Sequence, residues 1–449
     1  MGAPGIVADA DVDSARAPAP YGVLVVAYAL FFVLPGELAF VGPLRSNGTP
    51  LRLLGLVAFL LVLAGFLRVE ERRWPRPVAA ILVAFLAFTI FAWGTAHLRS
   101  LSDLESAQID RSVLIVVSGT GLALLAASVV HDLRRAHVLA GLLTAGAVLS
   151  VTVGALQFVG IINTWADVIG LPFMTTVVPS MGVVGRLGFN RVAGTTASPL
   201  EYSVVLAIVL PLIIHLALHA ASRAGRLGAR ASVVVVLLGL PIGFSRSGLV
   251  TLLVVLIVML PFLGRAQRWT LGVASATIVL AGFAAAPDIT RGFVELVVNS
   301  ESDNSIEGRL VDYPTVLRLF GESPWIGNGP RFARDLSSVL DNQWLGTLVQ
   351  DGVVGVLGLI LLLGGGAALA AWSASRHPRS SPERSFNGAL CAGLLGVAAA
   401  AGTFDVLSFQ QATFIAFLLL GLVGVGQPWR RGEPLSPARS PARQRTGSS

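Results

Sequence analysis

Two arginines sit in settings that suit anion chemistry. The first opens the stretch Arg191-Val192-Ala193-Gly194-Thr195-Thr196-Ala197-Ser198-Pro199-Leu200-Glu201. Ser198 and Glu201 have the spacing of a capping box, and Pro199 falls at the first helical position, so a helix is expected to begin here. Its positive dipole end, Arg191, the hydroxyls of Thr195 and Thr196, and free backbone N–H groups would then converge, which suits a phosphate above all. A well-capped helix beside an interfacial arginine would read the same way. The second arginine lies in Gly243-Phe244-Ser245-Arg246-Ser247-Gly248, where Ser245 and Ser247 flank Arg246 at the start of another apolar run. A snorkelling arginine in a tight turn is the plainer alternative. A guanidinium stays ionised and can grip phosphate with two parallel hydrogen bonds, which a lysine cannot.

A third group of polar residues lies in the long segment 287–343. It holds Glu307-Gly308-Arg309, then Pro324-Trp325-Ile326-Gly327-Asn328-Gly329-Pro330, then Asp341-Asn342. The Gly-Asn-Gly-Pro run is expected to be a turn, and Asp341 or Asn342 would suit the cap of the helix that follows. The acidic residues Glu301, Asp303 and Glu307 have no metal-loop spacing and are expected to be a solvated turn. No nucleophile elbow, P-loop or cluster of metal ligands is present, and the six histidines lie within or at the ends of apolar runs.

The elements that must position these residues are long and apolar. The chain is 54% hydrophobic and 13% charged, with a mean hydropathy of +0.76, whereas soluble domains carry about 25% charged residues. Twelve apolar runs are expected to cross a bilayer: 22–41, 52–67, 77–97, 112–130, 137–159, 199–218, 231–244, 247–264, 269–286, 349–372, 386–404 and 409–426. The expected fold is an all-α integral membrane protein of about twelve transmembrane helices, with one large extracytoplasmic loop (287–343) between the ninth and tenth. Residues 1–20 and the Arg/Pro/Ser-rich 428–449 are expected to be disordered cytoplasmic segments around a membrane domain at 21–427. No basic region precedes the first apolar run, so a cleaved signal peptide is not expected.

Orientation follows from the arginines, since the chain has no lysine. They recur in alternate connections: Arg68, Arg72, Arg73 and Arg76; Arg134 and Arg135; Arg223, Arg226 and Arg230; Arg265 and Arg268; Arg376, Arg379 and Arg384. The connection 98–111 is acidic instead, with Asp103, Glu105 and Asp110. This positive-inside pattern places both termini in the cytoplasm of a multi-pass protein of the inner, or cytoplasmic, membrane. The net charge of +7 therefore reflects topology, and no nucleic-acid partner is expected. Arg191, Arg246 and the long loop all fall on the outer side. The run 231–244 is only about 21 Å long at 1.5 Å per residue, short of a roughly 30 Å hydrocarbon layer, which would sink Arg246 below the outer surface. Glu37 and Asp405 are expected to be interfacial. Cys391, inside an apolar run, is the sole cysteine, so no disulfide can staple the outer loop.

Taken in order, these features resemble the O-antigen ligase and O-antigen polymerase family of bacterial membrane glycosyltransferases, over roughly residues 50 to 425. The resemblance rests on the R-x-x-G-T stretch with its proline at 191–199, the S-R-S-G turn at 245–248, and the end of the loop. Family ligases show His, then Asn/Ser/Gln, nine residues, Gly, two residues, and Gly/Thr/Tyr. Here Asp341-Asn342, residues 343–351, and Gly352-Val353-Val354-Gly355 fit every position except the histidine, which Asp341 replaces. That departure favours a polymerase, or a ligase for another surface glycan, over attachment to the lipid A core.

The resemblance implies a donor oligosaccharide carried on a polyprenyl (undecaprenyl) diphosphate and an acceptor glycan or lipid, with partners in a polysaccharide assembly complex. Arg191 and Arg246 would clamp the diphosphate while an acceptor hydroxyl attacks the anomeric carbon. Asp341 would orient that hydroxyl or take its proton. Arg309 would hold sugar or phosphate, and Thr195, Thr196, Ser245, Ser247, Glu307 and Asn342 would line the substrate. No metal or other cofactor is called for. The alternatives are a twelve-span transporter or flippase of a lipid-linked or amphipathic substrate, which would carry its polar residues at the bilayer midplane, and a non-catalytic scaffold.

Overall fold

The computed structural model of the chain describes residues 19–42, 47–67, 76–98, 102–176, 183–186, 189–285, 291, 314, 316–329 and 341–427. Among them, helices dominate: α1 (Ala19–Val33), α2 (Pro50–Leu67), α3 (Arg76–His97), α4 (Asp103–Val129), α5 (Leu133–Phe158), α6 (Trp165–Ile169), α7 (Pro199–His219), α8 (Arg223–Gly239), α9 (Arg246–Met259), α10 (Arg265–Ala285), α11 (Gln343–Ile360), α12 (Gly366–Ser375), α13 (Pro382–Ala401) and α14 (Gln410–Leu422). Two short antiparallel ribbons join β1 (Leu38–Phe40) to β2 (Met174–Thr176) and β3 (Val184–Arg186) to β4 (Phe189–Arg191).

Each of the twelve apolar runs overlaps a helix, although 22–41 continues past α1 into β1. Among the described residues, seven helices are long and apolar enough to cross a membrane, and four more are shorter apolar helices: Pro20–Val33, Pro50–Gly65, Arg246–Phe262 and Gln410–Leu422. Local sequence explains where they start. Ser102 and Glu105 close a full capping box on α4, while Asp132, Ser222, Ser245, Asn342 and Ser381 cap α5, α8, α9, α11 and α13. Such caps satisfy backbone N–H groups that a helix cannot pair internally.

At the centre stands α7, 89% of whose apolar window is buried, against 22% for α3 and 28% for α8. It packs against α5, α8, α9 and α13. Small residues bring neighbours close, as expected where lipid offers no hydrophobic drive for helix association. The α2–α4 seam is closed by Gly55 and Gly121, where an added Cβ would strike the opposing backbone. Large apolar side chains on the outer helices, among them Leu60, Val83, Phe91, Leu253 and Ile257, are exposed. Such a belt fits lipid as the surrounding solvent.

Candidate functional site

The loop that carries Arg191 is held from inside by α5. Gln157, 1% exposed in the last turn of α5, accepts from the N–H groups of Ala193 (3.1 Å) and Gly194 (2.7 Å) and donates back to the Gly194 carbonyl (3.2 Å). Ser150 Oγ accepts from Thr195 N, and Thr196 N donates to the Ala193 carbonyl. The expected free N–H nest is therefore already occupied by protein acceptors. A backbone amide can serve an anion only while it has no other partner. The threonines turn inward as well: Thr196 Oγ1 donates to the Ala193 and Ser198 carbonyls, and Thr195 is fully buried.

The cap of α7 also differs from expectation. Ser198 Oγ accepts from Leu200 N, one residue earlier than in a capping box. The Glu201 carboxylate, 1% exposed, accepts instead from Ala197 N (3.1 Å) and from Ala412 N (3.0 Å) in the first turn of α14. Glu201 thus ties the Arg191 loop to a helix some two hundred residues away in the chain.

Arg191, half-buried on β4, donates from Nε to the Gly243 carbonyl at 2.9 Å. This bond brings the first arginine motif onto the turn of the second. Gly243 ends a 3-10 turn (Leu240–Gly243), Phe244 follows in the left-handed region (φ 43°) and fully buried, and Ser245 caps α9 by accepting from Gly248 N. Arg246 is the first residue of α9 and half-buried, whereas Ser245 and Ser247 are 2% and 5% exposed. Gly243 and Gly248 both lie on Ser203 of α7, where an added Cβ on either would collide with the serine. The expected length argument for Arg246 does not hold. The helix runs from Arg223 to Gly243, 21 residues, about 31 Å at 1.5 Å per residue. Its two basic opening turns had been counted as loop. What half-encloses Arg246 is the packing of the turn on α7.

The loop motifs prove to be two halves of one joint. In α11, Gly352 adopts φ 66° and ψ −162°, breaking the helix. Val353 N and Val354 N donate to the carbonyls of Pro324 and Trp325, while the Val349 and Gln350 carbonyls accept from Asn328 N and Gly329 N. Those four α11 groups would pair with one another in an unbroken helix. The segment 324–329 is inserted between them and satisfies all four. An added Cβ on Gly327 would strike the Gln350 backbone, and one on Gly352 would lie 2.5 Å from the Trp325 carbonyl carbon. Asn328 Nδ2 also donates to the Leu319 carbonyl (2.8 Å). The Gly-Asn-Gly run therefore bends as expected, with Gly327 and Gly329 at φ 67° and 98°, and is docked against the break in α11.

Before this joint, Asn342 is the residue that caps α11: its Oδ1 accepts from Leu345 N, and its Nδ2 donates to the Gly402 carbonyl. Asp341 is exposed beside it. Glu307 and Arg309 lie outside the described residues, as do Glu301 and Asp303. Glu37, expected at an interface, is 4% exposed. Sequence reasoning placed Glu201 in a capping box rather than as a tie to α14, and it missed Gln157 and Asp351, polar residues placed within or against apolar runs. It also missed Arg52, fully buried in α2 with Asn47 Oδ1 and Gln410 Oε1 as acceptors. A polar side chain at membrane depth was the available signal. Among the described residues no three His, Cys, Asp or Glu side chains converge as a metal ion would require.

No curated protein matches the chain. Residues 231–360, which include the Arg246 turn, the docked segment and the whole of α11 but not Arg191, match the family model described as O-antigen ligase. Over that segment the chain is similar to the O-antigen ligase family of membrane proteins, and the match supports membership of it.

Proposed function

We propose that this protein transfers or polymerises a polyprenyl-diphosphate-linked oligosaccharide on the outer face of the cytoplasmic membrane, crossing it twelve times with both ends inside. A polymerase role is favoured over ligation to lipid A core, because Asp341 stands in place of the family's histidine. The observation that carries the reading is the Arg191 Nε–Gly243 carbonyl bond, which seats two arginine motifs of distant sequence on one turn. In this reading both guanidinium groups hold the diphosphate, whose charge grows as the bond from the anomeric carbon to its oxygen breaks. Stabilising such developing charge is usually the largest catalytic contribution. The acceptor hydroxyl supplies the new bond to carbon, and its proton passes to the Asp341 carboxylate. Polyprenyl diphosphate departs. Backbone N–H groups near Arg191 have protein partners, so the positive charge must come from the arginines themselves. Thr195, Thr196, Ser245 and Ser247 shape the two turns from beneath.

The test uses purified protein in lipid nanodiscs supplied with a labelled polyprenyl-diphosphate oligosaccharide. Chain growth with release of polyprenyl diphosphate supports transfer. Movement of intact donor across a vesicle membrane, with no new glycosidic bond, would instead establish a flippase.

A further inference from the structure

Away from the two arginines, a cavity of about 120 Å³ lies between α3, α4, both halves of α11 and the turn Val406–Ser408. At about 10–15 Å³ per water-sized group, it has room for something the size of one sugar ring. Asp351 lines it one residue before the break in α11. The break and the cavity are connected through the glycines of the motif. Gly352 turns the chain, and Gly355 lies where a side chain would collide with Asp351. Neither the Asp351 carboxylate nor the Gln350 amide has a hydrogen-bond partner among the described residues. An unpartnered ionisable side chain at membrane depth is costly to keep, and is retained there for function by default.

The rest of the lining gives the ligand its chemistry. Thr89, Ser112 and Thr347 present hydroxyl oxygens, of which the first two already donate to their own helices and are left as acceptors. Phe88 and Trp93 supply aromatic surface, and the Trp93 indole is fixed by its bond to Asp110 (2.8 Å). The acidic residues are Asp351 and Asp405, and among the described residues no Arg or His borders the space. A diphosphate would be repelled, and a lipid tail would strand the polar groups. A neutral polyol with apolar ring faces would satisfy both. The cavity is also coupled to the arginine turn. Gln343 accepts from Leu407 N and donates to Thr347, and the segment after Leu407 leads to Ala412, whose N–H binds Glu201.

We propose that this cavity binds the sugar of the acceptor glycan, with Asp351 and Gln350 hydrogen-bonded to its hydroxyls and its ring against Trp93. The assignment rests on the transferase reading above, and adds to it a second substrate site distinct from the diphosphate site. The probe is carrier-free repeat-unit oligosaccharide released by mild acid from the host's own surface glycan. Its binding to nanodisc-embedded protein is followed by tryptophan fluorescence, with Trp93→Phe as the control for the reporter. Saturable binding is expected in the wild type and in Arg246→Ala. The Kd should rise at least tenfold in Asp351→Asn and several-fold in Thr347→Val, both with unchanged melting temperature. Binding that is absent in the wild type, unaltered in both of these variants, or lost in Arg246→Ala overturns the proposal. Should Asp351→Asn fold poorly, Thr347→Val decides alone. In turnover assays the acceptor KM should rise in these variants while the donor KM holds. Glycan binding without any transfer would sink the transferase reading and leave the pocket standing. Transfer with an unmoved acceptor KM would do the reverse.

Discussion

At the scale of residues, the two arginines differ in what surrounds them. Arg191 donates from Nε to the Gly243 carbonyl, which fixes the base of its guanidinium fork. Pre-organised donors lose less on binding than mobile ones. Arg191→Ala and Arg246→Ala are each expected to lower transfer by at least about 100-fold while the protein still accumulates, scored by product formation at matched protein level. Lysine at either position should recover little, since an ammonium has no planar fork; equal rates for Lys and Arg would end the clamp model. Asp341 is exposed and Asn342 does the capping, so Asp341→Asn tests chemistry with little risk to the helix. Its kcat should fall by about 10²-fold or more, with melting temperature unchanged. A normal rate would remove Asp341 from proton transfer. These candidates were legible in sequence because a charged residue that interrupts or abuts an apolar run stands out from it. Their surroundings were not. Gln157 lies in the last turn of an apolar helix, and nothing near it in sequence tells that its amide serves a loop more than thirty residues on.

At the scale of elements, the Arg191 loop and the broken helix depend on different backbone devices. Gln157→Leu would leave the Ala193 and Gly194 N–H groups buried without acceptors, at about 1–3 kcal/mol each. A melting temperature lowered by several degrees and a raised donor KM are expected, whereas Gln157→Glu keeps the acceptor and should suffer less. In α11, Gly352→Ala meets both a left-handed φ and the Trp325 carbonyl, a cost on the order of 1–3 kcal/mol for the backbone conformation alone. Gly327→Ala should destabilise similarly, and the double variant should cost less than the sum of the two, because either lesion opens the same joint. Thermal unfolding of the three proteins measures this; strict additivity would mean the two glycines act apart. The glycines were visible in the sequence as motif letters. That they share one set of hydrogen bonds follows only from pairing between segments twenty-five residues apart, which periodicity does not encode.

At the scale of the whole molecule, hydropathy read the helices well because it sums over some twenty residues at once. Every apolar run overlaps a helix, and α8 begins before its apolar run because Arg223, Arg226 and Arg230 ride the helix itself. Crossing number and sidedness are open to direct measurement. In a Cys391→Ser background, removing the buried native thiol, cysteine at Ser102 should react with a membrane-impermeant maleimide in intact cells. Cysteine at Ser222 should react only after lysis. The reverse pattern would invert the topology and move both arginines to the cytosol.

The docked segment 324–329 bears on how such proteins can be recombined. The long connection between α10 and α11 looks like a cassette, free to be swapped between relatives so as to exchange substrate range. Here part of that cassette completes the backbone of the helix that follows it. A graft cut at the loop's edge would marry a foreign insert to a native notch and leave polar main chain without partners. Viable hybrids should be those whose seam lies beyond Gly355, so that plug and socket come from one parent.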